Sequence, residues 1–237
     1  MRIAIDHTII VDFPASLPRV ALALRVTPED NHDQTVTGWR IGPDRDARLN
    51  VGRDGYGNVL TMLYADGPLD RIEIHIGGEV FTGPSSGILS AAHPEPLPPA
   101  LFLRQSSGSA DAPDLAALAI DATQSGAEGD IDRLHLLNVA LHRRADDAGP
   151  DMLAAMFVAA ARRLSYPARC VSGYLACDAG ATPHFWAEAY VGNVGWVGFD
   201  PAIGLCAGED HARVASAIDL SGVATVIGGR VRLANAE

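Results

Sequence analysis

Residues 150–201 read PDMLAAMFVAAARRLSYPARCVSGYLACDAGATPHFWAEAYVGNVGWVGFDP, and this stretch decides the fold class. Leu153, Met156, Phe157, Ala160 and Leu164 recur at helical spacing, which predicts a core helix over 150–164 with its proline in the first turn. The runs 168–175, 184–191 and 194–199 are rich in Val, Tyr, Trp and Phe and are separated by Gly and Pro, so three consecutive strands follow. Working upstream, a helix is expected from Pro113 and Asp114, with Leu115, Leu118 and Ala122 on one face. Another is expected after Asp130, with Leu134, Leu137 and Leu141 inward. Helices followed by an antiparallel sheet make the α+β pattern.

The first 85 residues have a different texture. Val20, Leu22, Leu24 and Val26 alternate with Ala21, Ala23 and Arg25, and Leu49 and Val51 alternate with Arg48 and Asn50. Ile72, Ile74 and Ile76 alternate with Arg71, Glu73 and His75, so each run reads as a half-buried strand. The turn residues Asp54–Asn58 and Asp66-Gly67-Pro68 predict antiparallel hairpins between them. The expectation is an N-terminal antiparallel β-sandwich over 1–85. Residues 86–113 form a linker whose Pro94, Pro96, Pro98 and Pro99 bar regular secondary structure. The helix-plus-sheet unit then occupies 114–237.

Composition narrows the function. With 237 residues, 48% hydrophobic content and mean hydropathy of +0.10, the chain can bury a core, but its longest apolar runs are too short for a bilayer span. Met1 and Arg2 lead directly into strand-like alternation without a signal-type apolar block, so cytoplasmic residence is expected. A net charge of −11, with Arg143-Arg144 and Arg162-Arg163 as the adjacent basic pairs, argues against binding a run of phosphates. Neither nucleic acid nor membrane is an expected partner. Cys170, Cys177 and Cys206 are odd in number and lack C-x-x-C spacing, which speaks against a disulfide framework or structural zinc. The eight histidines contain no His-x-x-x-His pair, so no metal is expected and no cofactor is implied.

One constellation could carry chemistry. His184 opens a strand as His184-Phe185-Trp186-Ala187-Glu188, and Asp200 closes the next as Gly195-Trp196-Val197-Gly198-Phe199-Asp200-Pro201. A carboxylate on one imidazole nitrogen fixes the tautomer and leaves the other nitrogen free as a base. From composition alone, a strand-end histidine and a turn-capping aspartate explain the same residues. Trp186, Glu188 and Trp196 likewise read first as core or cross-strand pairs. His135 and His142 read as solvated helix-surface histidines.

Pro167-Ala168-Arg169, Val171-Ser172-Gly173-Tyr174-Leu175, the two strands just quoted and Gly208-Glu209-Asp210-His211 together resemble the core signature of bacterial transglutaminase-like proteins. The resemblance is strong over 151–219. It implies a papain-like core behind a β-rich N-terminal domain, and a Cys-His-Asp triad for amide hydrolysis or transamidation. His184 takes the place of the base and Asp200 that of its orienter. Trp186 and Tyr174 are the side chains expected to line a bound partner. No role in chemistry is assigned to His211 or Arg213.

In that family the cysteine sits at the N-terminus of the helix before Pro167-Ala168-Arg169, where the helix dipole favours a thiolate. Counting back places Pro150 there, and no residue before Cys170 is a cysteine. The connector 143–149 is also shorter than the family's. Proline can neither attack a carbonyl nor donate an N–H to an oxyanion. The resemblance therefore implies a vestigial dyad, His184 and Asp200, in a degenerate member that binds a peptide or protein partner through the former cleft. Such relatives accompany peptide-ligating ATP-grasp proteins, which suggests a peptide-ligase system as the setting. Cys177 is the candidate relocated nucleophile of an alternative, active hydrolase or transamidase. In that alternative a water polarised by His184 could serve instead. Cys170 reads as a packed strand residue and Cys206 as a loop thiol. A third possibility is an interaction module working through an edge strand of the N-terminal domain.

Overall fold

The computed structural model describes residues 1–84, 87–89, 95–105, 113–124, 127–144, 147–178, 180–227 and 230–235. Pro94, Ala145, Asp146 and the side chain of Ala122 lie outside the described residues. The N-terminal unit is built on two very long antiparallel strands, β1 (Arg2–Leu24) and β4 (Val59–Thr82), paired along their whole lengths. β2 (Gln34–Pro43) extends one half of β4, and β3 (Arg48–Arg53) extends the other. Ile9, Val11 and Ile74 from one half share a core with Leu22, Leu24 and Leu63 from the other. These residues are fully buried although no described helix residue joins their cluster, so the sheet closes over itself as a sandwich made from one hydrogen-bonded ladder.

The turn expected at Asp66-Gly67-Pro68 is not a hairpin. β4 runs through it, and the register with β1 slips between Asp12 and Arg19 instead. A bulge absorbs the bend while pairing continues on both sides. Gly67 is required there because a Cβ would collide with the Leu17 carbonyl oxygen. The other expected turn, Asp54–Asn58, does join β3 to β4.

The second unit has α1 (Pro113–Gln124), α2 (Asp130–Arg143) and α3 (Pro150–Arg163) on one face of an antiparallel sheet. Its strands are β6 (Ala168–Cys177), β7 (Gly180–Val191), β8 (Gly195–Asp200) and β10 (His211–Ala217), with β5 (Ile88–Leu89) at one edge and β9 (Leu205–Cys206) beside β8. Phe157 of α3 stacks on Phe199 of β8 at 5.1 Å between ring centroids, both fully buried. Truncating such a residue to alanine costs about 3–5 kcal/mol. Arg162 anchors the far end of α3 by donating to the carbonyls of Phe102, Ala168 and Ile218.

Two features depart from the expected boundaries. The proline-rich segment contributes the edge strand β5, paired with Val197 and Trp196, and a 3₁₀ turn over Pro99–Leu103 that buries Phe102. Proline bars a long ladder but not a two-residue strand or a short 3₁₀ turn. The chain also ends on the first unit: β11 (Val226–Ile227) and β12 (Arg230–Asn235) both pair with β1, so the second unit does not hold all of 114–237. No helix among the described residues is long and apolar enough to cross a membrane.

Candidate active site

The alternation of β7 sorts its side chains. Ala187, Ala189 and Val191 pack with Phe157 and Val158 of α3, while His184, Trp186 and Glu188 fall on the opposite face. β8 pairs Phe199 with Ala187, which brings Asp200 beside the His184 end of its neighbour. His184 Nε2 and Asp200 Oδ2 are 2.6 Å apart, both residues buried. The expected juxtaposition is therefore present.

Asp200 is fully used. Oδ1 accepts the Ala202 amide at 2.9 Å, a turn bond of the kind a capping aspartate makes, and Oδ2 receives a second imidazole, His211 Nε2, at 3.0 Å. His211 Nδ1 accepts the Gly208 N–H at 3.1 Å, so the proton of a neutral ring sits on Nε2 and is donated to the carboxylate. Burial opposes ionisation of Asp200, but the hydrogen bonds from His184 and His211 outweigh it and hold the carboxyl at about 2. Trp186 packs under both imidazoles, with ring centroids 6.4 Å from His184 and 5.1 Å from His211. His184 Nδ1 is left without a hydrogen bond among the described residues, the condition a base requires.

His184, Asp200 and His211 are also the one group of His, Cys, Asp or Glu donors, among the described residues, close enough to share a metal, with ligand atoms within 4.8 Å of one another. The tautomer argues against a cation. Gly208 occupies the bare nitrogen of His211, and the remaining nitrogen carries a proton aimed at Asp200, so it offers no lone pair.

α3 has 14 residues, which at 1.5 Å each span about 20 Å. β6 runs back at about 3.3 Å per residue, so by length the start of α3 reaches about the level of Gly173 along β6, the residue paired with His184, whose side chain falls on the other face of the sheet. Pro150 is the first residue of α3, follows the cap residue Gly149, and is followed by Asp151 in the first turn. The acidic charge suits the helix dipole, and the position carries no nucleophile.

None of the three thiols fills the gap. Cys170 is buried in the helix-side core, and burial pushes it up to about 12. Cys177 does not approach the imidazole as expected. It pairs with Gly180 at the hairpin end, four positions past Gly173, or about 13 Å along the strand. Cys206 is a strand residue paired with Phe199 rather than a loop thiol, and burial raises it too. No cysteine sulfur joins the donor cluster among the described residues.

The aromatic assignments also change. Tyr174 is packed against His7 and Trp39 of the N-terminal sheet, ring centroids 5.4 and 6.0 Å away, and is not open to a partner. Trp186 is buried but lines an inner pocket with Glu188, His211 and Arg213. Beside it lies a charge network that periodicity missed. Arg169 binds Glu188 at 2.6 Å and Glu95 at 2.7 Å, Arg213 binds Glu188 at 2.7 Å, and the Arg169 guanidinium lies 3.9 Å over Trp196. Glu188 is fully buried, yet the two arginines hold it at about 2. His142 is exposed on the helix surface, as expected, and hydrogen-bonds the Pro201 carbonyl at 3.2 Å in the loop after Asp200.

Residues 127–201 match the transglutaminase-like superfamily core, and residues 3–81 match the bacterial transglutaminase-like N-terminal region. No curated protein matches the sequence. The crystal structure of a candidate cysteine protease from Cytophaga hutchinsonii superposes with a TM-score of 0.76 at 16% identity, over 99% of this chain and 88% of that one. The periplasmic domain of TgpA from Pseudomonas aeruginosa reaches a TM-score of 0.35 at 16% identity, over 84% of this chain and 88% of that one, too low to bear on the fold. With an antiparallel N-terminal sheet matching one region, and helices packed on a sheet that carries the His184–Asp200 pair matching the other, the chain belongs to the bacterial transglutaminase-like superfamily.

Proposed function

We propose that this chain is a catalytically degenerate superfamily member that binds a peptide or protein partner through the former Cys-His-Asp cleft. One observation carries the reading: His184 and Asp200 keep a 2.6 Å pair while α3, the helix before Pro167-Ala168-Arg169, opens on Pro150. Loss of a triad nucleophile alone lowers turnover by about a millionfold. The retained imidazole and carboxylate then serve as a fixed polar floor for recognition. A peptide-ligase system as the setting, and residence in the cytoplasm, belong to the same proposal. The test pairs two measurements on the whole protein and its His184→Ala variant: hydrolysis of a mixed amide and peptide substrate set, and binding to the same peptides. Expected are no turnover above background in either protein and weaker binding by the variant. Turnover that disappears with His184→Ala would overturn the proposal in favour of an active hydrolase.

A further inference from the structure

A small cavity separates the N-terminal sheet from β6 and β7, walled by His7 and Arg25 on one side and by Ser172, Tyr174, Pro183 and His184 on the other. Eight buried side-chain polar atoms lack a hydrogen-bond partner among the described residues. Four of them, His7 Nδ1, His7 Nε2, Arg25 Nη1 and Ser172 Oγ, belong to these walls. Half of the unpaired atoms thus belong to three residues that line one small space. An unpaired buried donor or acceptor is costly, and polar cavities of adequate size are satisfied by water.

We propose that this cavity is a built site for one water molecule, held by Arg25, His7 and Ser172 and joining the N-terminal sheet to β6, the strand paired with the one that carries His184. The volume suits it: about 10 Å³ is open, close to the lower limit for a single water. The walls are fixed. Arg25 Nε donates to Asp54 Oδ2 at 2.7 Å, and Asp54 is held by the amides of Tyr56 and Asn58 and by Asn58 Nδ2. Asn58 in turn exchanges two hydrogen bonds with the Ser216 backbone on β10. This scaffold also selects the ligand. Asp54 already balances the Arg25 charge, so an anion would be an uncompensated buried charge, whereas water is neutral. Burial holds the His7 ring down to about 4, so one of its nitrogens donates and the other accepts. A water can accept from Arg25 and one further donor, and give its two hydrogens to the bare His7 nitrogen and Ser172 Oγ. Arg25 Nη1, Ser172 Oγ and one His7 nitrogen are then engaged by one molecule.

This inference does not depend on whether the dyad turns over. A high-resolution crystal structure of the full chain tests it, together with a bromide-soaked crystal and melting of Ser172→Ala and His7→Leu. Expected are one ordered water within hydrogen-bond distance of Arg25 Nη1, Ser172 Oγ and a His7 nitrogen, and no bromide peak. Each variant should melt about 2–6 °C lower, because it deprives the water of a partner. A dry cavity would overturn the proposal, as would a bromide peak between Arg25 and His7. An unchanged or higher melting temperature for Ser172→Ala would do the same even if His7→Leu failed to fold.

Discussion

His211 Nε2 lies 3.0 Å from Asp200 Oδ2, the oxygen that His184 also contacts at 2.6 Å. Two imidazoles on one carboxylate oxygen stabilise its ionised form, and this gives the fold an acid-sensitive element. The Asp200 carboxyl is depressed from 3.8 to about 2 on folding. Its contribution is present above about pH 4 and is lost as the pH falls toward 2, with a size of about 2 kcal/mol. Glu188, depressed from 4.5 to about 2, acts in the same direction. Urea unfolding between pH 5 and pH 2.5 should therefore show steeply falling stability in the wild type and a shallower fall in Asp200→Asn. Parallel curves would show that the carboxylate is not held ionised by its two neighbours.

Pro150→Cys should restore thiol chemistry at the helix tip. Exposed N–H groups and the dipole favour a thiolate there, and Pro150 is the first residue of α3. In a Cys177→Ser background, iodoacetamide at pH 6 should label the new thiol at least about tenfold faster than Cys177 is labelled in the wild type, and His184→Ala should remove the advantage. Equal labelling rates would mean that Pro150 does not occupy the lost nucleophile's position.

Glu188→Gln should cost about 3–5 kcal/mol, the range for breaking a buried pair by removing one partner. Arg169 and Arg213 would lose their shared carboxylate, and Arg169 is only 1% exposed. Chemical denaturation measures the loss. A change below about 1 kcal/mol would place this network in the surface class of ion pairs.

Much of this architecture is legible in the residues because period carries it. Helix starts at Pro113, Asp130 and Pro150 and the pairing of strands around His184 follow from apolar spacing and punctuation. The single ladder of β1 and β4 does not, because Pro14, Pro18 and Pro68 look like stops while a bulge lets the strands continue. Nor does the return of β11 and β12 to β1, since antiparallel pairing over more than 200 residues leaves no local trace. His211 opens β10, and only the pairing of β10 with β6 brings it to Asp200. The Arg169–Glu188 pair had a weaker signal, opposite charges on strands otherwise dominated by apolar residues.

Gly173 joins the packing of the core to the placement of the dyad. It pairs with His184 on β7 and with Arg213 on β10, next to the register shift between Arg213 and Ala215. A Cβ there would collide with the Ala212 carbonyl oxygen and press on the Trp186 ring that underlies both imidazoles. The clash involves backbone as well as a packed aromatic, so it cannot be relieved by turning one flexible side chain. Overpacking of this kind costs about 1–3 kcal/mol. Gly173→Ala should reach at least the upper part of that range in urea unfolding, and it should shift the His184 and His211 ring resonances together. Cost without movement of those resonances would confine Gly173 to a packing role, whereas near-wild-type stability would show that β10 does not cross as closely as the Ala212 contact requires.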